Sequence, residues 1–281
     1  MTRLGIIAGG GDLPSAIADE AREAGQPVFI AALRGIADEE ISRFPHEWIS
    51  LGQVGRMFSL FRQHGCDEVL LAGKVARPKW SEIKLDAVAM MKLPKIMAAA
   101  TKGDDALLRS LVEILEGEGF RVVSAVEAVP SLMAGEGTFG KQQPDERDKS
   151  DTAIAAKVVL ALGELDVGQA AVVCAGLVLA VEAAEGTDVM LARVATLPEN
   201  IRGAVDHRRG VLVKARKPTQ DGKTDLPVVG VATIRNAAAA GLAGVAVEAG
   251  GALIVNRKAV IAEADRAGVF VFGFQPSGAT V

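Results

Sequence analysis

Short apolar runs and helical periods take turns along the first half of the chain. "RLGIIA" reads as a strand. "LPSAIADEAREAG" reads as an amphipathic helix that stops at Gly25, a residue suited to closing a helix. "PVFIAAL", "DEVLLAG" and "FRVVSAV" are further strands. "GRMFSLFRQHG" and "DDALLRSLVEILEGEG" are helices between them, the second capped by Asp104. Successive apolar strands, each separated from the next by a helix, pair side by side only as a parallel sheet with crossover helices on its faces. The expected fold is α/β, with a Rossmann-like parallel-sheet domain over residues 1–132.

The alternation fails at "MAGEGTFGKQQPDERDKSD", Met133 to Asp151, which is rich in Gly, charge and amide and has no apolar period. It reads as a linker, or as a mobile loop. Beyond it, "TAIAAKVVLALGELD" is a helix. "AAVVCAG" and "LVLAVEA" are strands turning at Gly176, and "TDVMLARVATL" is a helix. "RGVLVKARK" is a strand, "VATIRNAAAAG" a helix, and "LAGVAVEAG", "GALIVN" and "VFVFGF" are short strands. Residues 152–281 are therefore expected to form a separate C-terminal mixed α/β domain. The 281 residues are long for one core and comfortable for two.

Composition narrows the function classes. Hydrophobic residues make up 49% and charged residues 23%, which suits a packed core. A net charge of −4 and the absence of Tyr argue against a nucleic-acid partner. Cys66 and Cys174 lie far apart and form neither a disulfide framework nor a zinc knuckle; they read as thiols of a reducing compartment. The N-terminal residues lack the apolar stretch of a signal peptide. The run from Ala170 to Val181 falls short of the ~20 residues of a membrane span. A cytoplasmic location follows, with a peripheral membrane contact (on the inner membrane, if the resemblance given below holds) and a homodimer left open.

Four constellations bear on chemistry. Gly9, Gly10 and Gly11 stand between the first strand and the first helix, where backbone N–H groups can approach a phosphate. Their spacing is not that of a dinucleotide fingerprint, and a tight strand-to-helix turn is the alternative. Lys74, Arg77 and Lys79 follow the strand "DEVLL", at the end where open α/β sheets bind ligands. Seven Lys or Arg residues against two acids fall between Arg202 and Lys223. In that segment Lys214 and Arg216 should share one strand face, facing either phosphates or solvent. Finally, Glu182, Glu185 and Asp188 are spaced three apart where an apolar strand runs out, and Asp225 precedes "LPVVG" as either a turn residue or a metal ligand. Carboxylates near cations near a helix start at Thr187 suit Mg²⁺-assisted phosphoryl chemistry. The strand is expected to end near Glu182, with Thr187 as the helix N-cap and Glu185 bent back toward Glu182.

Taken together, "IIAGGGDLP", "KGDDALLR", "DVGQAAVVCAGLVLAVEAAEGTDVMLARV", "VLVKARKPTQD" and "DLPVVGVATI" resemble the two-domain UDP-2,3-diacylglucosamine pyrophosphatases of lipid A biosynthesis. The calcineurin-like type is different, and its His/Asp/Asn motifs are absent. The resemblance covers nearly the whole chain. It implies a Mg²⁺-dependent hydrolase that splits UDP-2,3-diacylglucosamine into UMP and 2,3-diacylglucosamine 1-phosphate, with substrate held between the domains. It implies that Asp225 is the essential acid and a metal ligand. Glu185 and Asp188 are further candidate ligands. Gly9, Gly10, Gly11, Lys74, Gln169, Thr187, Lys214 and Lys217 are candidate substrate contacts. "AVAMMKLPKIM", Ala87 to Met97, is either a Met-rich trough for acyl chains or ordinary core. Two other classes compete: a non-catalytic binder of nucleotide or glycolipid, and a nicotinamide oxidoreductase. The acid clusters speak against the first and the glycine spacing against the second.

Overall fold

A computed structural model describes residues 2–75, 83–217 and 226–276. The chain divides into two compact units, Met1–Ser131 and Leu132–Val281.

In the first unit, strands β1 (Arg3–Ala8), β2 (Val28–Leu33), β3 (His46–Ile49), β4 (Cys66–Ala72) and β5 (Arg121–Val122) form a parallel sheet in the order β3-β2-β1-β4-β5. Helices α1 (Leu13–Glu23), α2 (Val54–Gln63), α3 (Ala87–Ala100), α4 (Asp104–Gly117) and α5 (Ala125–Ala128) complete it. β2 is buried along its whole length, which is why its sequence is apolar throughout. Phe29, Phe58, Phe61 and Phe120 fill the space between sheet and helices, with Phe29 and Phe61 edge to face at 6.3 Å.

Three local expectations change here. α4 is capped by Gly103, at φ 120°, and Asp104 is its first residue. "FRVVSAV" yields only two strand residues, because the Ser124 hydroxyl accepts from the Glu127 N–H and the Glu127 carboxylate from the Ser124 N–H; this reciprocal cap opens α5. β3, "HEWI", is an edge strand that its polar composition concealed.

The second unit is built on β6 (Gly137–Phe139), β7 (Ala170–Cys174), β8 (Leu177–Val181), β9 (Val211–Lys214), β11 (Gly244–Glu248) and β13 (Phe270–Phe274), ordered β6-β13-β11-β9-β7-β8. The short strands β10 (Val228–Val229) and β12 (Leu253–Ile254) pair separately. β9, β11 and β13 are parallel; β6 and β7 are antiparallel to their neighbours. β8 returns antiparallel to β7, so it runs with β9.

Helices α6 (Glu146–Glu164), α7 (Gly186–Ala195), α8 (Val231–Ala239) and α9 (Arg257–Ala267) cover the sheet. Strand alternation sorts its two faces. Ala170, Val172, Leu212, Val245, Val247 and Val271 pack with residues of α7, α8 and α9, while Ala171, Val173, Val211, Val213 and Ala246 pack with Ala155 and Val159 of α6.

The segment 133–151, expected as a linker, is built into this unit. Residues 137–139 pair with β13, and Asp145 opens α6 by accepting from the Arg147 and Asp148 N–H groups. Its polarity has a local cause: an edge strand and an exposed helix start need no apolar face. α9 is a further helix that the sequence pattern does not predict. Among the described residues, no helix is long and apolar enough to cross a membrane.

Candidate functional site

The carboxyl ends of β8, β9 and β11 and the amino end of β7 meet at one rim of the second sheet. Ionic side chains collect there although the strands below are wholly apolar. Lys214 closes β9 and is buried; its Nζ donates to Thr187 Oγ1 at 2.9 Å and to the Val228 carbonyl at 3.0 Å. The Thr187 hydroxyl donates in turn to Glu182 Oε1 at 2.6 Å. Glu182, also buried, accepts from the Gln169 N–H at 3.2 Å through its other oxygen. The result is a directed chain at the first turn of α7, ammonium to hydroxyl to carboxylate, with the carboxylate also accepting from a backbone N–H. A carboxylate is favoured at a helix N-terminus, and a buried charge needs such partners.

Arg216 and Lys217 are paired as well. The Arg216 N–H donates to Glu248 Oε2 at 3.0 Å, and its guanidinium lies 2.9 Å from Glu248 Oε1. Lys217 Nζ donates to Asp166 Oδ1 at 2.8 Å. Gln169 Oε1 is buried with no hydrogen-bond donor.

This corrects several expectations. β9 stops at Lys214, so Lys214 and Arg216 form no shared strand face; one is buried and the other bonds to β11. β8 ends at Val181 and α7 starts at Gly186, with Glu185 in the capping place. Thr187 does not cap: it lies inside the first turn, and its one hydroxyl proton goes to Glu182. Glu185 is drawn toward Arg193, Oε1 to guanidinium 3.4 Å, and Asp188 Oδ1 accepts from Asn236 at 3.0 Å. The carboxylates that bear on Lys214, Arg216 and Lys217 are Glu182, Glu248 and Asp166. Glu248 and Asp166 carried no sequence signal, since each is brought to the rim from a different part of the chain.

In the first unit the glycine turn has a different use from the one expected. The Gly9 N–H donates to the Ala72 carbonyl at 2.8 Å. Gly10 and Lys74 exchange both backbone hydrogen bonds, at 2.9 and 2.8 Å. The Gly11 N–H donates to the Asp38 carboxylate at 2.7 Å. The three N–H groups are engaged inside the protein and are not presented to a phosphate. Glycine is required by the close approach: a Cβ on Gly9 would stand 2.6 Å from the Lys74 oxygen. The methionines of α3 are not ordinary core, as Met90 and Met91 are exposed. Arg77, Lys79 and Asp225 lie outside the described residues.

Both cysteines are buried. Burial raises the Cys66 thiol from 9.0 to about 11, against the pull of Arg3 and with a smaller push from Asp67. Burial raises Cys174 as well.

Among the described residues, no three His, Cys, Asp or Glu side chains cluster as a metal site. Glu185 and Asp188, exposed at the start of α7, offer carboxylate oxygens. Such a donor set fits a hard cation that takes one or two carboxylates and completes its shell with water and phosphate oxygens.

Fold and rim together define a two-domain α/β protein with a buried ionic network at the carboxyl ends of the second domain's strands. The profile of the LpxI N-terminal domain matches residues 3–132, and that of the LpxI C-terminal domain residues 135–272. The UDP-2,3-diacylglucosamine pyrophosphatase LpxI of Caulobacter vibrioides is 48% identical over 276 residues, 98% of this chain and 99% of that protein. The chain belongs to the LpxI family. Among solved structures, CobK precorrin-6A reductase aligns with 99% of the chain and 90% of its own length, at 13% identity and a TM-score of 0.27, too slight a likeness to bear on the fold.

Proposed function

We propose that the chain hydrolyses the pyrophosphate bond of UDP-2,3-diacylglucosamine, releasing UMP and 2,3-diacylglucosamine 1-phosphate. The observation that carries this is the 48% identity to the Caulobacter vibrioides enzyme over 98% of the chain. An enzyme is favoured over a binding protein by that relative's activity and by the directed Glu182–Thr187–Lys214 chain at the sheet rim.

The residues divide the work as follows. Lys214, fixed by Thr187 and Val228, supplies positive charge where phosphate charge shifts during bond cleavage. Glu182 and Thr187 hold that ammonium in place. Gln169 offers its amide oxygen to a substrate hydroxyl or N–H. Asp225, Glu185 and Asp188 would hold Mg²⁺. The ion, when bound, would polarise phosphoryl oxygens as a Lewis acid. The test is release of UMP from UDP-2,3-diacylglucosamine with and without EDTA. No UMP at any Mg²⁺ concentration refutes the activity, and full turnover in EDTA refutes the metal requirement.

A further inference from the structure

Helix α3 is apolar on both sides: Val88 and Ile96 pack against the first unit's core, and a second apolar face is left outside. Of its 14 residues only Ala89 is fully buried. Its exposed positions are Ala87, Met90, Met91, Pro94, Lys95, Met97 and Ala98, which at 100° per residue span an arc of about 160°. Apart from Lys95 at one margin, that arc is apolar. Met90 is 62% exposed, Met91 72% and Met97 38%. A surface helix normally turns such a face to the core.

Its own charges are all of one sign, although two of its lysines pair with acids of α4, Lys92 with Glu118 at 3.3 Å and Lys95 with Glu113 at 2.7 Å. From Ala87 to Gly103 there are three lysines and no acid, in a chain of net charge −4. Along the lysine margin runs a cleft of about 370 Å³ between α3 and α4. Lys95, Lys102 and Arg109 line it against one acid, Glu113, which Lys95 holds ionised at 2.7 Å. Also in its wall is Ser110, whose buried hydroxyl has no hydrogen-bond partner.

We propose that this face of α3, with the cleft beside it, docks the protein on an anionic lipid bilayer. Flexible methionines enter the interface, and the lysine margin meets headgroup phosphates. Charge complementarity selects an anionic surface. The choice of a bilayer over a protein rests on the function proposed above, in which the substrate carries two acyl chains.

The test is flotation of the full chain with vesicles of phosphatidylethanolamine and phosphatidylglycerol, against vesicles of phosphatidylcholine alone. Preferential binding to the anionic vesicles, weakened by salt, is the expected result. The double variant Met90→Glu, Met91→Glu should lose roughly tenfold or more in partitioning, and Lys102→Glu a smaller amount. The methionines are exposed, so unchanged thermal unfolding serves as the folding control. Equal binding to both vesicle types, or full binding by the double variant, overturns the proposal. So does a wild-type dimer in light scattering that the double variant separates, because the face would then be a self-interface. Flotation needs no turnover and is therefore independent of the UMP assay. If hydrolysis by the double variant falls only for substrate in vesicles, the proposal is supported. An equal fall for substrate in detergent micelles would assign the face to the substrate's acyl chains instead.

Discussion

Replacing Glu182 by Gln keeps the side chain's size and removes its charge. In the structure one carboxylate oxygen accepts from the Thr187 hydroxyl and the other from the Gln169 N–H. A carboxamide can accept at only one of these places. If its oxygen faces Thr187, its NH₂ opposes the Gln169 N–H. If it is turned over, its NH₂ faces an oxygen that already accepts from Lys214, and the Thr187 proton loses its acceptor. Either way one buried donor is left unpaired, which costs about 1–3 kcal/mol. Loss of the anion that balances buried Lys214 raises the total to about 2–4 kcal/mol. For a unit of this size that corresponds to a fall of roughly 5–12 °C in Tm.

Differential scanning calorimetry reads the change directly. Thr187→Val is the companion variant, since it takes a partner from both Glu182 and Lys214; it should destabilise by about 3–5 kcal/mol. Thr187→Ser keeps the hydroxyl and should be mild. The double variant of Glu182→Gln with Thr187→Val should cost less than the sum of its parts, because both break one chain. A Glu182→Gln protein that unfolds within roughly 1 °C of the parent, or strict additivity with Thr187→Val, would refute the directed network.

Asp225→Ala should lower turnover about a thousandfold while substrate still binds, as checked by single-turnover kinetics and equilibrium binding. Of Asp188→Asn and Glu185→Gln, the change at a metal-linked position should lose activity that raised Mg²⁺ partly restores, whereas two silent changes at limiting Mg²⁺ would remove both from the metal site. Gly9→Ala forces a Cβ against the Lys74 carbonyl and should destabilise the first domain by about 1–3 kcal/mol in urea titration; wild-type stability would mean the loops can part. The Cys66 thiol should resist iodoacetamide at pH 8 in the native protein and react after unfolding. Because its folded pKa is raised, its contribution is full below 9.0 and is lost as pH rises toward about 11, so stability should fall across that window.

What could be read in the sequence was whatever leaves a local trace. β2 and β7 are apolar on both faces, so their runs announce buried strands. α1 and α2 carry one apolar face each. β3 and β6 lie at sheet edges, where one side of the strand has no neighbour to demand an apolar partner, and "HEWI" and "GTF" read as loop. "RKAVIAEADRA" buries only Val260, Glu263 and Ala264, so α9 has a thin apolar stripe and a polar average.

At the rim, the sequence pointed to Lys214, Thr187 and the acids after β8, but not to their pairing. Lys214 and Thr187 are 27 residues apart and Arg216 and Glu248 32, distances that only the sheet order closes. The acids, spaced three apart, read as one patch at the end of a strand. The turn before α7 instead sends Glu182 inward and leaves Glu185 and Asp188 outside. The glycine turn misled for a related reason: a backbone that must approach a phosphate and a backbone that must approach another backbone call for the same residue.

The exchange of hydrogen bonds between Gly10 and Lys74 makes the loops leaving β1 and β4 one mechanical part. Neither can lengthen by a residue without unseating the other, so insertions and deletions at the two places should be tolerated only in concert. Asp38 adds a third strap, from the loop after β2 to Gly11. Lys74 is therefore a fixed anchorage at the end of β4, held through the backbone to the loops that leave two neighbouring strands.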